Sequence, residues 1–399
     1  MIADWTPKTY DVVYKWNAST TTADQIVTVN GVKYDSSLTL GSADTFTNRK
    51  GYRVSGWATS DLEKTTYTPG ETITKFNPKD DSVSQVVFVA NWTEIEYTIN
   101  FTLGAGESLN ADHSGIVISG NTGTYKVSTD VKLPTASKSG RVFKGWKVSE
   151  VTADANGNCD YTADQSITSM SLGSGKVGSL TLVAVFENDF YLVTLNANKA
   201  NGTTEDPSAL SYKDVTYTFD STSNTWKNGS NVLSESIEYS KTYAFLQNLT
   251  PTRNGYTFAG WWTEATAGTQ IAYTSVLSTA SDHTLYAHWT AKDITITYSE
   301  NKASGSTGAI TNMPEAVTLK FNANYTIPET NPTRAGYTFG GWYLDSACSD
   351  DKQITSTTQI TSYVNHSLFA KWTKTSSKYK VNYYTENVDN TSGTLSTSN

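Results

Sequence analysis

Cysteine is nearly missing from this chain. Cys159 and Cys348 are its only two in 399 residues, so a disulfide framework is excluded as the source of stability. Proline (9) and methionine (3) are scarce, and charged residues make up only 17%. With 30 Lys+Arg against 38 Asp+Glu the formal net charge is -8, which removes the electrostatic attraction that nucleic acid or an anionic lipid surface would need. No apolar run reaches the roughly 18 residues of a membrane span, and the start Met1-Ile2-Ala3-Asp4-Trp5 lacks the basic and apolar regions of an export signal. Sustained 3.6-residue periodicity is absent too; a short helical turn per repeat, as near Thr274–Leu277, is the most helix the pattern allows. Gly-x-Ser-x-Gly, His-Glu-x-x-His and phosphate-cradling loops do not occur, so the sequence predicts no enzyme, no cofactor and no metal.

What is abundant is Thr, Ser, Tyr, Val, Asn and Gly, a composition that favours pleated strands and tight turns. The length suggests roughly two to four domains, and internal repeats fix the number. Gly255-Tyr256-Thr257-Phe258-Ala259-Gly260-Trp261 returns as Gly336-Tyr337-Thr338-Phe339-Gly340-Gly341-Trp342. Looser copies are Gly51-Tyr52-Arg53-Val54-Ser55-Gly56-Trp57 and Gly140-Arg141-Val142-Phe143-Lys144-Gly145-Trp146. A second motif follows each: Leu285-Tyr286-Ala287-His288-Trp289, Leu368-Phe369-Ala370-Lys371-Trp372, Phe88-Val89-Ala90-Asn91-Trp92 and Leu182-Val183-Ala184-Val185-Phe186. Period-two strands then begin at Tyr97, Tyr191 and Ile294, as at Tyr10 and Tyr379.

Closing aromatics at 5, 92, 186, 289 and 372 lie 87, 94, 103 and 83 residues apart. Such a spread means loop insertions, which cost little closure entropy. The longest, in the third repeat, reads as an extra hairpin turning at Asn228-Gly229. The predicted division is 1–8, the tail of a preceding repeat; 9–93, 94–189, 190–290 and 291–373, four complete repeats; and 374–399, the truncated start of a fifth. In the closing strand Ala287 sits between Leu285 and Trp289 on one face and leaves room for a bulky partner, expected to be Tyr256 and Phe258. Gly260 before Trp261 predicts a bulge that brings Trp261 onto the face of Phe258.

These paired signatures resemble the Listeria–Bacteroides repeat family, which includes the internalin B-repeat of bacterial surface proteins. The resemblance is closest over 291–373 and 190–290, and Val54, Arg141 and Phe186 depart from the pattern. It implies a mainly β chain, a tandem array of four small β-grasp-like (ubiquitin-like) domains in an elongated rod. It also implies an extracellular, cell-surface location and the role of a non-catalytic adhesin stalk, a monomeric rod within a longer chain. The structural positions it marks are Tyr52, Gly56, Trp57, Trp92, Phe143, Gly145, Trp146, Phe186, Tyr256, Phe258, Gly260, Trp261, Trp289, Tyr337, Phe339, Gly341, Trp342 and Trp372. The competing expectation is a glycan- or receptor-binding module in which Trp226, Trp262 and Tyr343 project as aromatic platforms toward a cell-surface protein or glycan. Ala58 and Lys147 take the place of Trp262 and Tyr343 in the other copies, which limits such a platform to two repeats. Asp154, Asn156, Asn158 and Asp160 alternate like a calcium loop, but Gly157 and Gln165 stand at the wrong places, so a plain turn is expected. His283 and His366 are matched and expected to serve a turn.

Overall fold

A computed structural model describes residues 5–200, 203–303, 306, 308–376, 378 and 380–382. Residues 1–4 of the proposed leading tail, and Tyr379 and Tyr383 of the truncated fifth repeat, lie outside the described residues. The chain forms two compact units. The first comprises residues 1–190 with 238–240 and 278–281; the second comprises 191–237, 241–277 and 282–399. Each contains two separate hydrophobic cores. Buried members run from Tyr10 to Ala90 and from Tyr97 to Leu182 in the first unit. In the second they run from Val193 to Ala287 and from Ile294 to Ala370.

One strand arrangement recurs around each core. An opening strand (Thr9–Lys15, Glu96–Thr102, Phe190–Asn196, Asp293–Ser299) pairs in parallel with a closing strand (Gln85–Glu94, Ser179–Asn188, His283–Ala291, His366–Lys374). On its other edge the closing strand pairs antiparallel with the motif strand (Tyr52–Ala58, Arg141–Thr152, Tyr256–Trp262, Tyr337–Tyr343). A further strand hairpins back on the opening one; in the first repeat it is Ile26–Lys33, which completes with Thr66–Tyr67 a five-stranded mixed sheet. No α-helix occurs among the described residues, only three 3-10 turns, at Ala23–Gln25, Ala244–Asn248 and Asp350–Lys352. The third repeat thus makes its helical turn at 244–248, where Leu246 is buried, and not near Thr274–Leu277.

Alternation explains the strands. In Gln85–Glu94 the even-numbered Val86, Phe88 and Ala90 are buried while their odd neighbours are not, the period-two signature of a sheet with one face on a core. All four motif strands shift register against the closing strand at the motif glycine: between Val54 and Gly56, Phe143 and Gly145, Phe258 and Gly260, and Phe339 and Trp342. Gly145, Gly260 and Gly341 take φ values of +130°, +107° and +106° there, a region in which any Cβ is strained. The bulge does what the spacing implies: Phe258 and Trp261 meet edge to face with ring centroids 5.4 Å apart.

Two expectations need correction. Trp261, not Tyr256, lies opposite Ala287, and Phe258 lies opposite Trp289; Tyr256 turns away toward the core of the fourth repeat. The inserted hairpin turns on Gly229-Ser230, because Asn228 pairs with Asn231 and leaves only those two residues in the loop.

Candidate functional site

The paired aromatics close each repeat through ring packing and through indole hydrogen bonds. Trp57, Trp146, Trp261 and Trp342 are all buried at the centre of their cores. Trp57 Nε1 donates to the Gly41 carbonyl, Trp146 Nε1 to Pro134 and Trp261 Nε1 to Leu249, each at 2.8 Å. The closing tryptophans make a second tie of long reach. Trp92, Trp289 and Trp372 donate to the carbonyls of Trp16, Ala197 and Glu300, at 3.0, 2.8 and 2.8 Å. Each acceptor immediately follows its opening strand. An indole fills the volume and holds the chain end; phenylalanine does only the first, so Phe186 in the second repeat packs on Phe143 without that tie.

A third participant escaped the sequence reading. Two residues before the motif glycine, Arg49, Arg253 and Arg334 lie over the motif tyrosine, with guanidinium carbons 4.4, 4.1 and 3.9 Å from the ring centres of Tyr52, Tyr256 and Tyr337. They also stand 4.5, 5.8 and 6.0 Å from the rings of Trp92, Trp289 and Trp372. Arg253 and Arg334 are buried, and Arg253 Nε donates to the Glu205 carbonyl at 2.8 Å, which removes its charge from contact with solvent. The second repeat replaces the whole trio with Lys138, Arg141 and Phe186. That joint loss was the available signal: the three positions are kept or abandoned together.

The motif glycine and tyrosine also join neighbouring repeats inside each unit. The residue following the closing strand donates to the glycine carbonyl in every repeat: Ile95 to Gly51 (2.9 Å), Asp189 to Gly140 (3.1 Å), Lys292 to Gly255 (2.9 Å) and Thr375 to Gly336 (2.9 Å). In the first unit Tyr52 packs on the core of the second repeat, and a Cβ at Gly51 would lie 2.6 Å from Val127. In the second unit Tyr256 packs edge to face on Phe321 at 5.4 Å, and a Cβ at Gly255 would lie 2.3 Å from that ring. Glycine is required at these positions because the next repeat occupies the space of its side chain.

The three proposed ligand-binding aromatics do not assemble a platform. Trp226, expected to project, is fully buried; it meets Trp261 edge to face at 5.7 Å and donates to the Ser208 carbonyl at 2.8 Å. The reason lies in the opening strand. Tyr14, Phe101 and Tyr298 rest against the motif tryptophan in the other repeats, at 4.7, 5.0 and 4.8 Å. The third has the smaller Leu195 at that place, and the inserted hairpin delivers the missing ring. Tyr343 is likewise buried, 3% exposed, with the Lys371 ammonium 4.8 Å from its ring centre. Trp262 is half-buried, and one face of its ring is covered by His288 in a parallel stack at 4.6 Å. A shallow cleft of about 420 Å³ opens beside that stack, lined by Asn198, Arg253, Tyr256, Ala265, His288 and Trp289, but its guanidinium is already engaged by backbone.

The matched histidines begin closing strands and anchor tyrosines: Tyr243 Oη to His283 Nε2 is 2.9 Å and Tyr325 Oη to His366 Nε2 is 2.6 Å. Burial pushes the Tyr325 phenol up to about 12. The Asp154 loop is an Asx-type turn. Asp154 Oδ1 accepts from the backbone N–H groups of Asn156 and Asn158, both at 2.9 Å, while Oδ2 accepts from the buried Tyr97 hydroxyl at 2.9 Å. No group of three metal-ligating side chains occurs among the described residues. Asp154→Ala is therefore expected to lower the stability of the second repeat by about 1–3 kcal/mol by orphaning these donors. In urea titrations of the parent protein calcium should leave the midpoint unchanged; a rise with calcium that Asp154→Ala abolishes would make the loop a cation site.

Comparison with known proteins agrees with this geometry. A model of the Listeria-Bacteroides repeat domain matches residues 97–184, 215–288 and 295–371, more than half of the chain. The chain belongs to the Listeria–Bacteroides repeat family. A putative Gly-rich membrane protein of Evansella cellulosilytica is 22% identical over 387 residues, 96% of this chain and 35% of that protein. Internalin H of Listeria monocytogenes is 34% identical over 125 residues, 31% of this chain and 20% of the relative. The chain therefore spans about a third or less of the length of these relatives. Within this Listeria–Bacteroides repeat chain, the first repeat lies outside the matched segments yet keeps the Arg49–Tyr52–Trp92 cluster and the bulge before Trp57.

Proposed function

We propose that the chain is a non-catalytic stalk or spacer of a bacterial cell-surface adhesin, holding a distal binding domain away from the cell. Its four domains, 9–93, 94–189, 190–290 and 291–373, are read as β-grasp variants in which loops replace the helix. The observation that carries this reading is the repeated joint. Neighbouring repeats within a unit are coupled through a glycine and a tyrosine of the same motif, in place of the flexible linker that independent binding modules would use. The names of the relatives, a membrane protein and an internalin, support a surface location. Four domains of this size in line predict a maximum dimension on the order of 120–160 Å. Small-angle scattering from a dilute solution should give a distance distribution with a long tail to that value; a symmetric distribution ending near half of it would sink the spacer reading.

A further inference from the structure

In the first, second and fourth repeats the strand that hairpins back on the opening strand forms one side of the sheet, and the repeats protect that side differently. In the second, Val117–Ser119 pairs along the outside of Thr122–Lys126 and covers it. In the fourth the strand is Val317–Lys320, only four residues long, and it ends its sheet. The third repeat precedes it in this chain and adds no strand there, so a neighbour in series does not cover this edge. In the first repeat the edge is Ile26–Lys33, eight residues with no outer partner strand among the described residues. It has no proline, and no charge stands between Asp24 and Lys33; both are devices that ordinarily block strand addition. A bulge at Gly31, φ +72°, interrupts only its last part, between the pairs Val12–Val29 and Tyr10–Val32. Ile26–Asn30 remains a regular, open edge.

The Trp16 N–H donates to the Gln25 carbonyl, so by antiparallel alternation Gln25, Val27 and Val29 turn their backbone groups toward the opening strand. Ile26, Thr28 and Asn30 turn theirs outward. The side chains add an apolar strip. Val27 and Val29 lie opposite Tyr14 and Val12, hence on the core face, yet they are 37% and 42% exposed while Tyr14 and Val12 are 2% and 0%. The apolar face of the sheet thus runs past the core that covers it.

We infer that Ile26–Asn30 pairs antiparallel with the same segment of a second copy of this chain, about a twofold axis through Thr28. Thr28 then faces Thr28 and Ile26 faces Asn30, and each such pair exchanges two backbone bonds, about six in all. Val27 of each copy falls opposite Val29 of the other, in the more closely spaced kind of pair, and the four valines close over the seam. The axis is perpendicular to the sheet, so both cores stay on one side and two five-stranded sheets join edge to edge. Charge selects this direction. The flanking Asp24 and Lys33 are of opposite sign, and an antiparallel copy brings Lys33 of each toward Asp24 of the other, whereas a parallel copy would bring like to like. The interface is isologous, so association stops at the dimer, and its small area makes it weak. It sets two chains side by side and is independent of how either continues at its ends.

Sedimentation equilibrium of the parent chain should show the weight-average mass rising from one chain toward two between about 10 µM and 1 mM, and no further. Thr28→Pro removes an outward N–H while leaving the bonds to the opening strand, and should stay monomeric; Thr28→Val keeps that N–H and should associate as the parent does. Register is tested by charge. Val27→Lys with Val29→Lys, and Val27→Glu with Val29→Glu, should each be monomeric alone, because like charges meet across the seam, and an equimolar mixture of the two should regain dimers. Far-UV circular dichroism confirms that every variant folds. A parent chain still monomeric at the top of that range would leave the edge to a strand of some other protein and would overturn the inference. So would species larger than a dimer, Thr28→Pro associating as the parent does, or a mixture that regains nothing.

Discussion

Replacing Trp261 by alanine is expected to lower the stability of the third repeat by about 3–5 kcal/mol. The ring is 3% exposed, meets Phe258 and Trp226 edge to face, and sits opposite Ala287, whose small side chain cannot move in to fill the hole. Loss of Nε1 also strands the Leu249 carbonyl that it holds at 2.8 Å. A phenylalanine series separates volume from hydrogen bonding. Trp57→Phe, Trp146→Phe and Trp261→Phe each delete a bond to a carbonyl, whereas Trp342 Nε1 has no partner among the described residues. Trp342→Phe should therefore be milder than the other three by about 1–3 kcal/mol. Hydrogen exchange on the closing strands, read strand by strand, assigns each loss to its repeat. Equal losses in all four would mean that the indole N–H contributes nothing and that ring volume alone matters. The neighbouring Trp262→Ala should cost no more than about 1.5 kcal/mol, since it breaks an outer-face stack with His288 and one long hydrogen bond, from Nε1 to the Ala259 carbonyl at 3.4 Å.

How much of this was legible in the sequence follows from how far each feature reaches along the chain. The strands and the bulge were legible because period-two alternation and a glycine one residue before tryptophan are local patterns with local consequences. The pairing of motif and closing strands was legible because the same two signatures occur four times. Trp226 was not. Its hairpin could be seen, but its destination depends on Leu195, some thirty residues earlier, being too small for its place in the core. Tyr256 was misplaced for a related reason: its partner Phe321 belongs to the next repeat, and alternation within one strand does not say which core a side chain enters. The arginines were overlooked because a charged residue in a loop ordinarily reads as solvated; only the simultaneous change of Lys138, Arg141 and Phe186 betrays the contact. Of the candidate ligand residues, Trp262 alone keeps partial exposure, and spacing carries no information about the histidine that covers it.

Gly255→Ala should uncouple the third and fourth repeats, and Gly336→Ala is its matched control. The two glycines share the motif position and nearly the same backbone, φ +75° and +79°, so each alanine incurs the same left-handed strain of roughly 1–2 kcal/mol. They differ in what the new methyl meets. At Gly255 it would lie 2.3–2.6 Å from ring atoms of Phe321, far inside contact distance, while at Gly336 nothing among the described residues lies within 4 Å. Phe321 is 2% exposed and cannot swing into solvent without opening the fourth core, so Gly255→Ala should cost about 1–3 kcal/mol more than its control. The difference is the energy of the joint. It should appear in a particular place: Gly255→Ala should accelerate amide exchange on both sides of the joint, in Tyr256–Trp262 and in Asp293–Ser299, whereas Gly336→Ala should accelerate the fourth repeat alone and leave Tyr256–Trp262 at the parent rate. If the two variants prove equally destabilised and each speeds exchange only within its own repeat, the contact between Gly255 and Phe321 transmits nothing. Neighbouring repeats would then be independent beads, and the stiffness that a spacer needs would have to come from elsewhere.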